Sequence, residues 1–329
     1  MKKSNKIVFA LSASKKLAQL VAKKLGCKLG DIVIKHFADG ETMVKSSYSI
    51  RGKDVYVIQS TSKPVNENLM ELLIALDSFK RASANSINVI TPYFGYSRQD
   101  RKTDSREPIT CKLAAKLIET AGATRLTVCD LHATQTQGFF EIPVDTVSAV
   151  HDLLKTIKNR HSFSNTVIVS PDYGSVKRAR KLSQATGLPM VILDKRRPSP
   201  NIAEITNVLG EVKGKRCIII DDMIDTGGTL VAACEVLKKK GATHIICAAT
   251  HGLFSGEAVK RFNKALSDGT IDHLYVSNSL DSVYTCGIKK LHVVDISLLI
   301  SELIKIYDGA GYGTITELYK KTTTLKRGK

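Results

Sequence analysis

Asp221, Asp222, Asp225, Thr226, Gly227, Gly228 and Thr229 gather groups that suit a sugar and an anion into one short segment. An apolar run, residues 218–220, ends in two carboxylates. A loop of Asp, Thr and Gly follows, and then a helix-forming stretch. Paired acids at the C-terminal end of a strand suit sugar hydroxyls, or a metal bound to them, because open α/β sheets take ligands at that edge. Gly227 and Gly228 let backbone approach an anion closely, and Thr226 and Thr229 add hydroxyl donors. The helix start supplies N–H groups and a favourable dipole. An N-cap in a tight turn would account for one Asp and one Gly. It would not account for three acids, two glycines and two threonines in nine residues.

Other apolar runs also end in polar groups. Asp130-Leu131-His132-Ala133 and Ser170-Pro171-Asp172-Tyr173-Gly174 each close a strand-like run. His132 and Asp172 at two strand ends could hold one Mg²⁺ through nitrogen, oxygen and water. Residues 91–102 pass from an apolar strand through an aromatic-Gly run into a loop carrying Arg98, Gln99, Arg101 and Lys102. Phe37-Ala38-Asp39-Gly40-Glu41, taken alone, is a hairpin turn with a core Phe. Asp194-Lys195-Arg196-Arg197-Pro198, taken alone, is a solvated basic loop leading through Ser199-Pro200-Asn201 to a β-prone run at 205–208.

These segments must be held by alternating elements. Strands are expected at 7–11, 32–35, 55–59, 87–91 and 126–130, then at 167–170, 190–193, 217–220, 245–249, 274–277 and 291–294. Helices are expected at 15–25, 66–82, 110–120, 149–160, 176–186, 229–240, 256–266 and 297–307. Gly122, Gly187 and Gly241 stand just past helical runs, where a left-handed cap favours Gly. Alternation of this kind predicts an α/β protein with mainly parallel sheets. Gly52-Lys53-Asp54-Val55-Tyr56-Val57-Ile58 is similar to Gly214-Lys215-Arg216-Cys217-Ile218-Ile219-Ile220. Likewise Arg125-Leu126-Thr127-Val128 is similar to His273-Leu274-Tyr275-Val276. The matches point to two similar domains, 1–148 and 149–319, followed by a basic tail, 320–329.

The 329 residues suit two domains of ordinary size, and a 43% hydrophobic content lets each bury its own core. The formal charge of +18 favours anionic partners, with part of the excess in the basic end segments. No recognisable nucleic-acid module appears, and with no Trp there is no tryptophan stacking platform, so no specific nucleic-acid partner is expected. The seven cysteines are scattered, with Cys129, Cys217 and Cys247 inside apolar runs, which argues for a reducing compartment. The apolar segment 7–11 is too short for a signal peptide, and no run is long enough to span a membrane. The expected location is the cytoplasm, with no membrane partner.

The 218–229 segment resembles the phosphoribosyl-pyrophosphate loop of type I phosphoribosyltransferases. In that family the loop holds the sugar 5-phosphate and the acids contact the ribose 2- and 3-hydroxyls. Taken with the other segments, in order across residues 7–319, the chain resembles the ribose-phosphate pyrophosphokinases. The resemblance implies two similar type I phosphoribosyltransferase-like domains, each with a mainly parallel sheet flanked by helices. It implies transfer of the β,γ-pyrophosphoryl group of ATP to the 1-hydroxyl of ribose 5-phosphate, with AMP leaving, for nucleotide biosynthesis. In that likeness Phe37, Asp39, Glu41, Arg98 and Gln99 bind ATP, and His132 and Asp172 match the metal positions for Mg²⁺. Asp221, Asp222 and residues 225–229 hold ribose 5-phosphate, and Lys195 and Arg197 contact the transferring pyrophosphate. Ser47, Arg51, Lys102, Ser105, Arg106 and Thr314 match the phosphate and ADP effector positions of the phosphate-activated class. There, Thr314-Ile315-Thr316 replaces a Ser-hydrophobic-Ser segment. The likeness also implies a homohexamer built from dimers. Competing readings are a phosphoribosyltransferase, which would not need the 37–41 and Arg98-Gln99 segments, and a catalytically inert regulatory subunit. Such a subunit is expected to lose or interrupt the catalytic loop, whereas Lys195 and Arg197 are both present.

Overall fold

The computed structural model describes residues 5–199, 202–309, 314–315 and 318, without the side chains of 195–199 and 202–206. The basic tail 320–329 and the connector residues 200 and 201 lie outside the described residues. The chain forms two compact units with a break between Ser148 and Ala149.

The first unit contains β1 (Lys6–Ala10), α1 (Lys15–Leu25), β2 (Ile32–His36), β3 (Thr42–Ser46), β4 (Asp54–Ile58), α2 (Val65–Arg81), β5 (Ser86–Thr91), α3 (Thr110–Ala121), β6 (Arg125–Cys129) and β7 (Val144–Val147). Its main sheet has the order β1-β4-β5-β6-β7, all parallel, and β2 and β3 form a separate antiparallel hairpin. Parallel strands covered on both faces need near-continuous apolar runs. Val55, Val57 and Ile58 of β4 are accordingly fully buried, as are Val89 and Ile90 of β5. Phe9 stacks on Phe79 at 4.9 Å between ring centroids, joining β1 to α2.

The second unit contains α4 (Val150–Arg160), β8 (Thr166–Ser170), α5 (Val176–Thr186), β9 (Met190–Ser199), β10 (Ile202–Leu209), β11 (Arg216–Ile224), α6 (Gly228–Lys239), β12 (His244–Gly252), α7 (Ala258–Ser267), β13 (His273–Ser277) and β14 (Leu291–Val294). Its sheet runs β10-β9-β8-β11-β12-β13-β14, with only β10 antiparallel. Without the β9–β10 hairpin, the order β8-β11-β12-β13-β14 repeats that of β1-β4-β5-β6-β7. The sequence matches fall on equivalent strands, β4 with β11 and β6 with β13. Cys129, Cys217 and Cys247 are buried, as expected for small apolar side chains.

The second unit does not take in all of the chain beyond Ala149. The last helix, α8 (Ser297–Tyr307), belongs to the first unit. Its apolar face buries Leu299, Ile300, Leu303 and Ile304, and it packs on α1. Polar ties hold its end. Tyr307 donates to Asp145 at 2.7 Å, Tyr56 donates to Asp308 at 2.7 Å, and Lys6 pairs with Asp308. In this way α8 covers apolar surface on the first unit. Among the described residues no helix is long and apolar enough to cross a membrane.

Candidate active site

The sugar-type loop forms as one piece in the second unit. β11 pairs with β8 only as far as Ile219 opposite Val169, whereas its pairing with β12 continues to Ile224. The strand therefore outruns its neighbour, and Asp221 faces the cavity where β8 has given way to Pro171 and Asp172, while Asp222 is buried. Asp221, Asp172, Asp225, Thr226, Gly227 and Thr229 line a single cavity of 190 Å³. Asp172 is fixed at its rim by accepting the Ser175 N–H at 2.9 Å.

Arg178, on α5, clamps both acids. Its guanidinium donates to Asp221 at 2.5 Å and to Asp222 at 3.2 Å. Burial, followed by the negative charge of Asp222, pushes the Asp221 carboxyl above the ordinary carboxylate range, and Arg178 only partly opposes this. The pair thus stores electrostatic repulsion that a polyol or a cation can relieve.

The two glycines of the loop play different parts. Gly227 caps α6 at φ 72°, in the left-handed region, and a Cβ there would collide with the ring of buried Phe262. Gly228 is the first helical residue, has ordinary φ, and a Cβ would meet nothing closer than Arg261 at 3.9 Å. Freedom from a side chain at 228 therefore matters for a ligand approaching the helix start, and at 227 for the fold itself. No side chain caps α6, and its first N–H groups lack intrahelical partners. The Arg261 guanidinium holds the Thr226 carbonyl. Backbone bonds from Leu253 and Phe254 to Ile224, and from Ser255 to Asp225, tie the base of the loop to the segment after β12.

Lys195 and Arg197 lie on β9, which runs past the expected end at 193 into an antiparallel hairpin with β10. The basic run read as a solvated loop is thus extended backbone. Their side chains lie outside the described residues.

The first unit carries the other predicted segments. Phe37, read alone as a core residue, is 42% exposed at the tip of the β2–β3 hairpin, with the Lys35 ammonium 5.0 Å from its ring. The turn closes through Phe37 N–H to Glu41 at 2.8 Å and Gly40 N–H to Phe37 at 3.0 Å, and Asp39 and Glu41 are exposed. Arg98 and Gln99 are exposed after β5. Gln99 accepts from the Thr110 hydroxyl at 2.6 Å, which anchors it to the start of α3. His132 is exposed after β6, which ends one residue earlier than expected because Asp130 turns to φ 40°. Ser148 donates to Asp130 at 2.5 Å and supports that turn. His132 and Asp172 belong to different units. Ser47, Arg51, Lys102, Ser105, Arg106 and Thr314 are exposed on the first unit. Non-glycine residues at positive φ include Tyr96, Arg106, Asp130 and Phe254, all within or beside these segments. Strain of this kind gathers where a backbone must aim side chains at a ligand.

Sequence reading gave no role to Arg178, Arg261 or Phe262. Arg178 was visible as a cation two residues into a helix after Asp172, but its partners lie more than forty residues away, at 221 and 222.

Comparison with known proteins places this geometry. A family described as the N-terminal domain of ribose phosphate pyrophosphokinase matches residues 6–122, and one described as the phosphoribosyl synthetase-associated domain matches 169–315. The chain is 48% identical to the ribose-phosphate pyrophosphokinase of Mycoplasma genitalium, covering 96% of this chain and 94% of that one. It is 50% identical to the one from Ureaplasma parvum, covering 93% and 92%. The crystal structure of phosphoribosylpyrophosphate synthetase from Mycobacterium smegmatis superimposes with a TM-score of 0.85 at 39% identity, covering 93% of this chain and 99% of that one.

Proposed function

Because the chain belongs to the ribose-phosphate pyrophosphokinase family and so transfers the β,γ-pyrophosphoryl group of ATP to ribose 5-phosphate, we propose a role in this reaction for each segment described above. The observation that carries the assignment is the 190 Å³ cavity into which Asp172, Asp221, Asp225 and the start of α6 converge. The loop 225–229 binds the sugar 5-phosphate through the helix start, backbone N–H groups and the hydroxyls of Thr226 and Thr229. Asp221 and Asp222 accept from the ribose hydroxyls and orient the 1-hydroxyl for in-line attack on the β-phosphorus. Catalysis is then mainly positioning and electrostatics.

ATP is held by Arg98 and Gln99, with Phe37 stacking on the adenine and Asp39 and Glu41 accepting from its amine. The exposure of Phe37 supports a stacking role over a core one. Lys195 and Arg197, carried on the β9–β10 hairpin, close over the β,γ-phosphates. Asp172, Asp221 and Asp225 offer carboxylate oxygens around one cavity, the donor set of a hard cation, so these residues fit Mg²⁺, with His132 as a further ligand on the ATP side. When bound, the ion offsets phosphate charge as it builds. The enzyme works in the cytoplasm as a homohexamer built from dimers. Phosphate and ADP act at Ser47, Arg51, Lys102, Ser105, Arg106 and Thr314.

Incubation with ATP, Mg²⁺ and ribose 5-phosphate, followed by separation of the nucleotides, tests the reading. AMP should form in equal amount with 5-phosphoribosyl 1-pyrophosphate, without any nucleobase. Formation of ADP, or a requirement for a base, would overturn it.

A further inference from the structure

Four of the second unit's imidazoles, none with a part in this reaction, lie close together in the fold. His244 opens β12, His273 opens β13, His292 lies in β14, and His161 caps α4. These strands run parallel to β11, so the histidines gather at the N-terminal edge of the sheet. The acid pair lies toward the other edge, about 17 Å along the strand from Arg216 to Asp221.

The ring centroids of His161 and His273 are 4.3 Å apart, those of His244 and His273 5.3 Å, and those of His161 and His244 6.1 Å. One nitrogen from each of these three residues lies within 4.8 Å of the other two. Tetrahedral zinc with Zn–N bonds of ~2.0–2.1 Å sets its ligand nitrogens roughly 3.3 Å apart, a gap that side-chain rotation can close.

The outer contacts orient the rings for ligation. Asp272 Oδ1 lies 3.2 Å from His244 Nδ1, which leaves Nε2 for a cation. The other Asp272 oxygen is held by Ile245 N–H at 2.7 Å and Lys238 at 3.0 Å. A fixed carboxylate behind an imidazole is the usual support of a metal-binding histidine. His161 Nε2 meets the Tyr275 hydroxyl at 2.8 Å, leaving Nδ1. His292 Nδ1 is engaged by Arg160 at 3.0 Å, so His292 stands outside the ligand set. Burial, reinforced by neighbouring imidazoles, holds His273 down at about 4, and burial first also lowers His161 and His244. The rings are therefore neutral at physiological pH, the form that binds metal. Arg160, Arg216 and Lys238 also face the cluster and oppose a cation, while Asp272 favours one.

We propose that His161, His244 and His273 bind a divalent transition cation of the zinc type, with Asp272 behind His244 and the fourth position open to water. Three imidazoles suit zinc rather than magnesium, so the site is chemically separate from the one that serves ATP.

The test uses the full-length enzyme, stripped with a chelator and kept in saturating Mg²⁺. Zinc binding is followed by calorimetry, and cobalt binding by the visible absorption of the four-coordinate ion. Wild type should bind one zinc per chain and give the cobalt bands. His161→Gln and His244→Gln should each abolish the bands and weaken zinc binding at least tenfold, and Asp272→Asn should weaken it about 10–100-fold. Unchanged Mg²⁺-dependent turnover in the two histidine variants would tie that loss to the site rather than to misfolding. Absence of stoichiometric zinc binding in wild type, or equal affinity in the His161→Gln, His244→Gln double variant, would overturn the proposal.

Discussion

Asp221 and Asp222 give the proposed sugar site its pH response. The Asp221 carboxyl sits above the ordinary value of 3.8 because it is buried beside a second acid. Between that value and neutrality the folded chain therefore holds a proton that the unfolded chain has released. Linkage then fixes the sign: this pair favours the fold at the acid end of the window and opposes it increasingly as pH rises toward neutrality. Asp222→Asn removes the repelling charge while leaving Arg178 paired with Asp221. The free variant should unfold at a higher temperature than wild type at pH 8, with the difference shrinking toward pH 5, and its affinity for ribose 5-phosphate should fall. A lower melting temperature at pH 8 would show that the pair stabilises the free protein. At Lys195 the expected effect is kinetic. A cation that meets the pyrophosphate mainly in the transition state should cost about 10²–10³-fold in kcat on replacement by Ala, with little change in ribose 5-phosphate binding. Near-normal turnover of Lys195→Ala in a steady-state assay would remove it from the mechanism. The acids were legible in the sequence because they adjoin each other at a strand end. Arg178 was not, because its helix meets them only through tertiary packing.

The loop, the hairpins and the helices differ in how much of them local sequence decides. α1, α5, α8 and β14 lie at the positions expected from periodicity and Gly caps, since those signals are local. β3 and β7 were missed. β3 exists through pairing with β2, and β7 adds one short edge strand to a sheet built by others. β9 was cut short at its charges, yet pairing with β10 carries it through them. The loop 225–229 was read as an anion site, with its two glycines treated alike. The structure separates them, and so should mutation. Gly227→Ala puts a side chain in the left-handed region at about 1–2 kcal/mol, and collision with Phe262 adds overpacking of about 1–3 kcal/mol. Gly228→Ala should leave stability within about 0.5 kcal/mol of wild type and raise the KM for ribose 5-phosphate instead. Chemical denaturation beside steady-state kinetics checks both, and equal destabilisation by the two changes would refute the division of roles.

Duplication organises the whole molecule. The two five-strand orders match, and the segments proposed for ATP and for the sugar phosphate follow strands of different copies. The sequence matches exposed that repeat but not the membership of α8, because a helix shows its apolar stripe without naming the surface that covers it. Phe37 is exposed on a hairpin that forms a sheet of its own, so its proposed stacking role raises the question of which ATP it would serve. In the proposed hexamer it serves the adenine of a neighbouring subunit, so a monomer lacks part of its nucleotide site, and assembly and ATP affinity are linked. Subunit mixing tests this directly. Phe37→Ala and Lys195→Ala homo-oligomers should each be nearly inactive. After dissociation and reassembly together, some interfaces would pair an intact Phe37 with an intact Lys195 across the boundary, and part of the wild-type activity should return. Isotope-labelled subunits and native mass spectrometry can establish that exchange has occurred. With exchange established, no recovery of activity would mean that Phe37 acts within its own chain, and full activity in a dilute monomer would mean the same.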